Sequence, residues 1–152
     1  MKWLLRIAVV VVAVFVLWQV GQRVFVTDET RVRRQISTMV SATEKGDVLR
    51  LSDALAGDYS DDWGMDKSML IGAVHSYRAQ YDALFIHLSD LTVTIEPDHQ
   101  RAQAVFIAKV IAKAKANLTE SEVRADRFRL YFRKNDSGWK LIRVESPELK
   151  FD

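Results

Sequence analysis

The chain has 152 residues, with 22 lysines and arginines against 20 aspartates and glutamates, and it has no cysteine. This length leaves room for one domain of ordinary size beside any terminal extension. Without cysteine the chain can form neither a disulfide nor a thiolate metal site, which excludes thiol redox chemistry. A domain of this size does not need a disulfide or metal staple, because it can bury a sufficient core.

The first 26 residues differ in composition from the rest, because they contain no acidic residue. The apolar run from Trp3 to Val20 is close in length to the roughly 20 residues that a helix needs to cross a bilayer. A cleaved secretory signal would share the basic start and the apolar run, but no small-residue cleavage site follows here. The sequence therefore predicts a transmembrane signal-anchor at residues 1–26 and a domain at residues 27–152.

The orientation of this anchor depends on basic residues that pull in two directions. Lys2, Arg6 and the amino terminus favour a cytoplasmic start, whereas Arg23 and the arginines of residues 31–34 follow the apolar run and favour the opposite. A short basic region before the first apolar run is typical of bacterial signal-anchors whose bulk is exported. We therefore expect a single-pass protein of the bacterial inner membrane with a periplasmic or extracytoplasmic domain.

Three helices are predicted in the first half of the domain. They run from Thr27 to Gly46, from Asp47 to Gly57, and from Asp66 to about Ala83, each starting at a residue suited to capping. Glycine ends the first two. The apolar stripes are Val32, Ile36, Met39 and Val40 in the first helix and Leu70, Val74, Tyr77 and Tyr81 in the third.

From about Phe85 the apolar period changes to that of strands. Phe85–Glu96 forms one predicted strand, with a bulge or bend at Ser89-Asp90. Arg101–Ala116 forms a second strand, although its alanine content also suits a helix. Residues 124–146 alternate apolar and basic side chains around the polar connection Asn135-Asp136-Ser137-Gly138, which predicts a hairpin.

Three helices followed by a long, bent antiparallel meander resemble the nuclear transport factor 2-like (SnoaL-like, cystatin-like cone) superfamily. Local similarities lie at residues 44–48, 51–59 and 133–145. The resemblance implies an α+β cone, in which three helices pack on a curved four-stranded antiparallel sheet. Because these motifs are structural and degenerate, they indicate the fold better than the activity.

Enzymes of this superfamily use a Tyr, Asp or His in the apolar cavity of the cone to move a proton. The corresponding pocket candidates here are Tyr59, Trp63, Tyr77, Tyr81, Phe106, Asp126 and Phe128. Asp126 shares strand parity with Phe128 and could face the cavity mouth, or it could lie on an exposed strand end. The simpler interpretation of the tyrosines is that they belong to the core. We therefore expect a small apolar ligand without catalysis, and assign no catalytic residue.

Other types of site have little support in the sequence. The histidines His75, His87 and His99 do not stand at metal-ligand spacing, and neither a P-loop nor a nucleophile elbow is present. We expect no metal and no cofactor.

Charge is distributed unevenly along the domain, because residues 44–100 are rich in acids and residues 101–143 in bases. The predicted outward sheet face carries Lys109, Lys113, Lys115, Arg127, Arg129 and Arg133. This face could simply be solvated, or it could dock a second copy, an envelope protein or anionic lipid. Tyr131 is the one aromatic side chain among these basic residues that could stack on a nucleotide, so we expect no nucleic acid partner.

Together these features predict a membrane-tethered, non-catalytic binding or interaction domain. The first alternative is a subunit or assembly factor of a cell-envelope complex, since an anchored cone domain also resembles the single-pass assembly proteins of type IV secretion machines. The second alternative is an enzyme that acts on a small molecule in the cone cavity.

Overall fold

A computed structural model describes residues 27–115 and 122–146. Within them lie helices α1 (Asp28–Lys45), α2 (Val48–Ala54) and α3 (Lys67–Ala79), followed by strands β1 (Tyr81–Ile95), β2 (Arg101–Ala114), β3 (Glu122–Asn135) and β4 (Gly138–Glu145). The predicted anchor at residues 1–26 lies outside the described residues. None of the described helices combines the length and apolar character needed to cross a membrane.

The three helices begin where the sequence predicts, because a polar side chain accepts a hydrogen bond from a free backbone N–H of each first turn. The capping pairs are Thr27 with Thr30, Asp47 with Arg50, and Asp66 with Met69. α1 also ends as predicted at Gly46, whose φ of 70° is left-handed and therefore suits glycine.

Two helix ends differ from the prediction. α2 ends at Ala54 instead of Gly57, because Leu55 is extended and forms a parallel bridge with Leu141 of β4. α3 ends at Ala79, and Tyr81 begins β1 although the apolar stripe placed it on the helix. In both places pairing with the sheet outweighs helical periodicity.

The four strands form an antiparallel meander in the order β1-β2-β3-β4. The alanine-rich β2 is a strand and not a helix, with β1 on one side and β3 on the other. The predicted irregularity in β1 is confirmed, because pairing with β2 shifts between Ser89 and Thr92 and Asp90 has a φ of 55°. Such a bulge bends a long strand and so curves the sheet.

The core lies between the helices and one face of this sheet. Alternation along β2 buries Ala102, Ala104, Phe106 and Ala108 on that inner face. The largest fully buried side chains are Phe132, Ile36, Leu141 and Val32. The α+β prediction of three helices on a four-stranded antiparallel sheet is therefore confirmed for the described residues.

The edges of the sheet are covered over part of their length. Along β1, Glu44 of α1 accepts a hydrogen bond of 2.8 Å from the backbone N–H of Ile86. Along β4, the Ala56 backbone N–H donates to the carbonyl of Leu141 at 2.9 Å. Such covering hides unpaired strand edges from other chains.

The start of α1 is tied to both turns of the sheet. Asp28 lies 3.0 Å from the ammonium of Lys134 and 3.5 Å from Nδ1 of His99. The hydrogen bond from Lys134 holds the pKa of Asp28 below its usual value, and it does so by stabilising the carboxylate form. The chain therefore enters the domain at the end where the β1–β2 and β3–β4 turns lie.

Candidate functional site

A cavity of about 200 Å³ lies between α1 and the inner face of the first three strands. It is lined by Ile36, Met39, Val40 and Thr43 of α1, Ile86 and Leu88 of β1, Phe106, Ala108 and Val110 of β2, and Phe128 and Leu130 of β3. The helical spacing of the first group and the strand alternation of the others bring these side chains together. Because the side chain of Ala108 is small, it leaves unfilled space on the inner face of β2, and this space forms part of the cavity.

The wall of this cavity is apolar. Its one hydroxyl, on Thr43, donates to the carbonyl of Met39 at 2.9 Å and is satisfied within α1. The rings of Phe106 and Phe128 are 6.0 Å apart and inclined by 31°, which offers aromatic surface to an occupant. Among the described residues that line the cavity, none carries a titratable side chain. The described wall therefore offers an apolar surface to an occupant.

Asp126 and Arg124 stand beside this cavity on the same face of β3. In the β2–β3 register Asp126 is opposite Ala108 and Arg124 is opposite Val110, and both of these partners line the cavity. Nε of Arg124 lies 3.1 Å from Oδ2 of Asp126. The Asp126 side chain is 16% exposed and that of Arg124 is 55% exposed. Asp126, which strand alternation placed near the cavity mouth, is therefore held in an ion pair at the cavity edge.

The other pocket candidates lie elsewhere. Tyr59 is only 3% exposed and belongs to the core, where its hydroxyl donates to Asp61 at 3.1 Å. Burial, reinforced by the charge of Asp61, raises the pKa of Tyr59 well above its usual value. Trp63 packs against the core cluster, and Tyr77 contacts Tyr81 with ring centroids 5.0 Å apart.

Of the seven pocket candidates, Phe106 and Phe128 line the cavity and Asp126 stands beside it. Sequence reasoning did not name the α1 and β1 side chains of the wall as pocket residues. The apolar stripe of α1 already contained Ile36, Met39 and Val40, so a signal existed. It does not distinguish a side chain that fills the core from one that lines a void.

The acidic loop at residues 58–64 also contributes to the core. Tyr59 is buried, and the Asp61 carboxylate accepts hydrogen bonds from the backbone N–H groups of Trp63 at 3.0 Å and Met65 at 2.8 Å. Asp61 therefore organises a compact loop.

All the predicted basic residues except Lys115, which follows the end of β2, stand at outward positions of β2 and β3. Several of the six already have partners. Arg133 forms two hydrogen bonds with the Asp58 carboxylate, at 3.0 and 2.7 Å. Arg129 lies 3.6 Å from Glu145, and the ammonium of Lys115 donates to the carbonyl of Ala79 at 2.7 Å.

Lys109, Lys113 and Arg127 are exposed, and within the described part of the chain they form no ion pair. Only part of the predicted basic face therefore presents uncompensated charge.

The outer face also carries an apolar row that the sequence did not reveal. Phe85 of β1 pairs with Ile111 of β2, which pairs with Val123 of β3, so the three side chains adjoin across the sheet. They are 58%, 37% and 59% exposed. The register of the strands, which one sequence does not determine, brings them together.

Across residues 27–115 and 122–146, no group of three or more His, Asp or Glu side chains could hold a metal ion. The sequence matches neither a protein-family model nor a curated protein.

Several solved structures share the fold. A nuclear transport factor 2-like protein with a cystatin-like fold from Novosphingobium aromaticivorans is 20% identical, with a TM-score of 0.66 over 84% of this chain and 86% of that one. A nuclear transport factor 2-like superfamily protein from Salmonella enterica is 12% identical, with a TM-score of 0.68 over 82% of this chain and 92% of that one. A protein described as a candidate scytalone dehydratase from N. aromaticivorans is 10% identical, with a TM-score of 0.68 over 80% and 87%. The described domain therefore has the nuclear transport factor 2-like, cystatin-like fold.

Proposed function

We propose that this chain is a membrane-tethered binding protein whose cone domain takes a small, mainly apolar ligand into its cavity without transforming it. The observation that carries the proposal is the cavity wall, which is apolar and has no titratable side chain among the described residues. Binding sites for small molecules are typically concave and mostly apolar, with a few polar groups that set orientation. An apolar cavity of this kind binds by excluding water from its occupant.

The absence of a proton-transfer group on this wall favours binding over catalysis. Similar structures include the protein described as a candidate scytalone dehydratase, and an enzyme of that kind needs a group that gives or takes a proton at the substrate. The carboxylate beside the cavity, Asp126, is paired with Arg124.

The tether in this proposal is the apolar segment at residues 1–26, which is rich in Val and Leu and free of acids. We place it as a single pass through the bacterial inner membrane, with the domain outside the cytoplasm. The cavity contacts the second half of α1, from Ile36 to Thr43, whereas the tether joins the start of this helix. In this arrangement the ligand site lies away from the bilayer end of the domain.

Filling the cavity tests the binding function. Ala108→Phe places a ring in a space of about 200 Å³ and is expected to weaken the binding of a small apolar probe such as ethylbenzene at least tenfold. The matched control is Ala125→Phe, because Ala125 is exposed on the outer face of the neighbouring strand. The measurement is an NMR titration of the full chain in phospholipid nanodiscs, with empty nanodiscs subtracted. Equal probe affinity in both variants and the wild type would refute the cavity as the site.

A second candidate function is favoured by the apolar row of Phe85, Ile111 and Val123. On β2 the row lies between Lys109 and Lys113, which flank Ile111 on the same face, so the outer face combines exposed apolar surface with positive charge. Exposed apolar side chains that adjoin in this way are typical of interaction surfaces. We propose docking of a second copy, or of an envelope protein with an acidic surface, as the role of this face.

Charge insertion into the row tests this docking. Phe85→Glu is expected to weaken self-association of the full chain at least tenfold, because a desolvated carboxylate would oppose the apolar contact. Leu49→Glu is the control, since Leu49 is 80% exposed on α2. Analytical ultracentrifugation in matched-density detergent gives the association constant. A wild-type chain that stays monomeric would remove the second copy as the partner and leave the envelope protein.

A further inference from the structure

We propose that the ligand of the apolar cavity is a small hydroxyl compound, a phenol or an alcohol, whose hydroxyl binds the Arg124–Asp126 pair while its body occupies the cavity. This inference rests on the proposed binding function and specifies its ligand class. It follows from the position, the opening and the chemistry of the pair, together with the size of the cavity.

The pair is close enough to contact an occupant of the cavity. Side chains directly opposite on neighbouring antiparallel strands have Cβ atoms about 4.5–5.5 Å apart. Asp126 lies directly opposite Ala108, and Arg124 lies directly opposite Val110. Both Ala108 and Val110 line the cavity. Asp126 also precedes the lining residue Phe128 by two positions, so strand alternation places both on the inner face.

The sheet ends early on this side, which leaves the pair accessible. The last pair between β3 and β4 joins Arg129 to Glu145. Within the described residues, the stretch of β3 from Val123 to Phe128 therefore pairs with β2 alone. Arg124 is 55% exposed while Asp126 is 16% exposed, so the pair reaches from the cavity edge to solvent.

The chemistry of the pair selects a neutral hydroxyl. The contact with Asp126 uses Nε of Arg124, which leaves the other guanidinium N–H groups as donors, and Oδ1 of Asp126 is left as an acceptor. A hydroxyl can donate to Asp126 and accept from Arg124 at the same time. A carboxylate can only accept, and the charge of Asp126 repels it. A purely apolar molecule would leave the pair without a partner.

The volume limits the body of the ligand. An apolar cavity of about 150 Å³ accommodates benzene. The cavity here, at about 200 Å³, therefore suits one substituted ring or a short alkyl chain. The aromatic surfaces of Phe106 and Phe128 and the thioether of Met39 favour a ring.

The test uses three probes with the same body and different ends: 4-ethylphenol, ethylbenzene and 4-ethylbenzoate. Binding to the full chain in phospholipid nanodiscs is measured by NMR titration, with the Ala108→Phe protein in identical nanodiscs as the blank for partition into lipid. The wild type is expected to bind 4-ethylphenol about three- to tenfold more tightly than ethylbenzene, since a net hydrogen bond contributes a factor of that order. 4-Ethylbenzoate is expected to bind most weakly.

Asp126→Asn provides the decisive variant, because it keeps the side-chain shape and removes the charge that repels an anion. Arg124 then faces the cavity edge as an uncompensated cation, and 4-ethylbenzoate is expected to gain about tenfold and to match or exceed 4-ethylphenol. Ethylbenzene, which contacts only the wall, is expected to be unchanged, and this serves as the internal check that the variant is folded. Ala125→Asn on the outer face is the matched surface control.

The outcomes separate this inference from the proposed function. If ethylbenzene binds the wild type as tightly as 4-ethylphenol, or if Asp126→Asn leaves the three affinities in their original order, the hydroxyl assignment is wrong while the cavity remains a binding site. If no probe binds above the Ala108→Phe blank, the binding function itself is wrong. If the wild type binds 4-ethylphenol most tightly and 4-ethylbenzoate most weakly, and Asp126→Asn raises 4-ethylbenzoate to the level of 4-ethylphenol or above, the result supports both the binding function and the hydroxyl assignment.

Discussion

Replacing Phe132 with alanine is expected to destabilise the domain by about 3–5 kcal/mol, the range for removing a buried phenylalanine. Phe132 is 0% exposed and lies on β3 opposite Ala102 of β2 and Leu141 of β4, both of which are buried. Its loss leaves a void between three strands of the core, and β3 cannot easily move to close it because it is hydrogen-bonded to β2 on one side and β4 on the other. Urea denaturation of residues 27–152, which contain the whole described core, measures the change.

The control is the same substitution at Phe85, which is 58% exposed on the outer face of β1. A substitution at such a surface is expected to change the free energy of unfolding by no more than about 0.5 kcal/mol. Comparable losses for Phe132→Ala and Phe85→Ala would contradict the assignment of inner and outer faces on which the cavity depends.

The second large effect is expected in alkaline solution and comes from Tyr59. Burial, with the neighbouring Asp61 charge, raises the pKa of its phenol in the folded protein, whereas in the unfolded chain it ionises near pH 10. The unfolded state therefore releases a proton that the folded state keeps. The stability linked to Tyr59 is fully present below pH 10 and is lost as the pH rises, by about 1.4 kcal/mol for each unit above 10.

Tyr59→Phe removes this titration. At pH 11 the wild type is therefore expected to lose about 1.4 kcal/mol more than Tyr59→Phe, relative to each protein at pH 8. Parallel urea denaturation series at both pH values give the two differences. If wild type and variant lose stability equally between pH 8 and pH 11, Tyr59 is not buried in the folded protein as described.

Local features of the domain could be predicted because their causes lie within a few residues. A capping side chain needs only the next turn, as Thr27 and Thr30 illustrate, and a helix stop needs a residue such as Gly46 that tolerates a positive φ. The β3–β4 hairpin follows from alternation on both sides of a short polar turn. The bulge near Ser89 follows from a break in alternation.

The predicted ends of α2 and α3 were wrong because contacts with residues far along the chain decide them. Leu55 leaves its helix because Leu141, far along the chain, offers a bridge partner. Tyr81 fits a helical stripe equally well, yet it pairs with Ala114 at the start of β1. Tyr59 is buried as its interpretation as a core residue implies, but what buries it is also distant in the chain, because residues 56 to 60 lie along β4.

The sequence by itself determined the α+β class, the meander and the inner and outer faces of β2 and β3, because hydrophobic periodicity is a property of neighbours in the chain. It also supplied the apolar, acid-free composition of residues 1–26, from which the tether is proposed. Only the tertiary structure decided which inner-face side chains surround a void, that Asp126 is paired with Arg124 beside it, and that Phe85 meets Ile111 and Val123 on the outside. These facts depend on strand register and on the separation between α1 and the sheet. Such quantities result from the packing of all elements together, and no single segment encodes them.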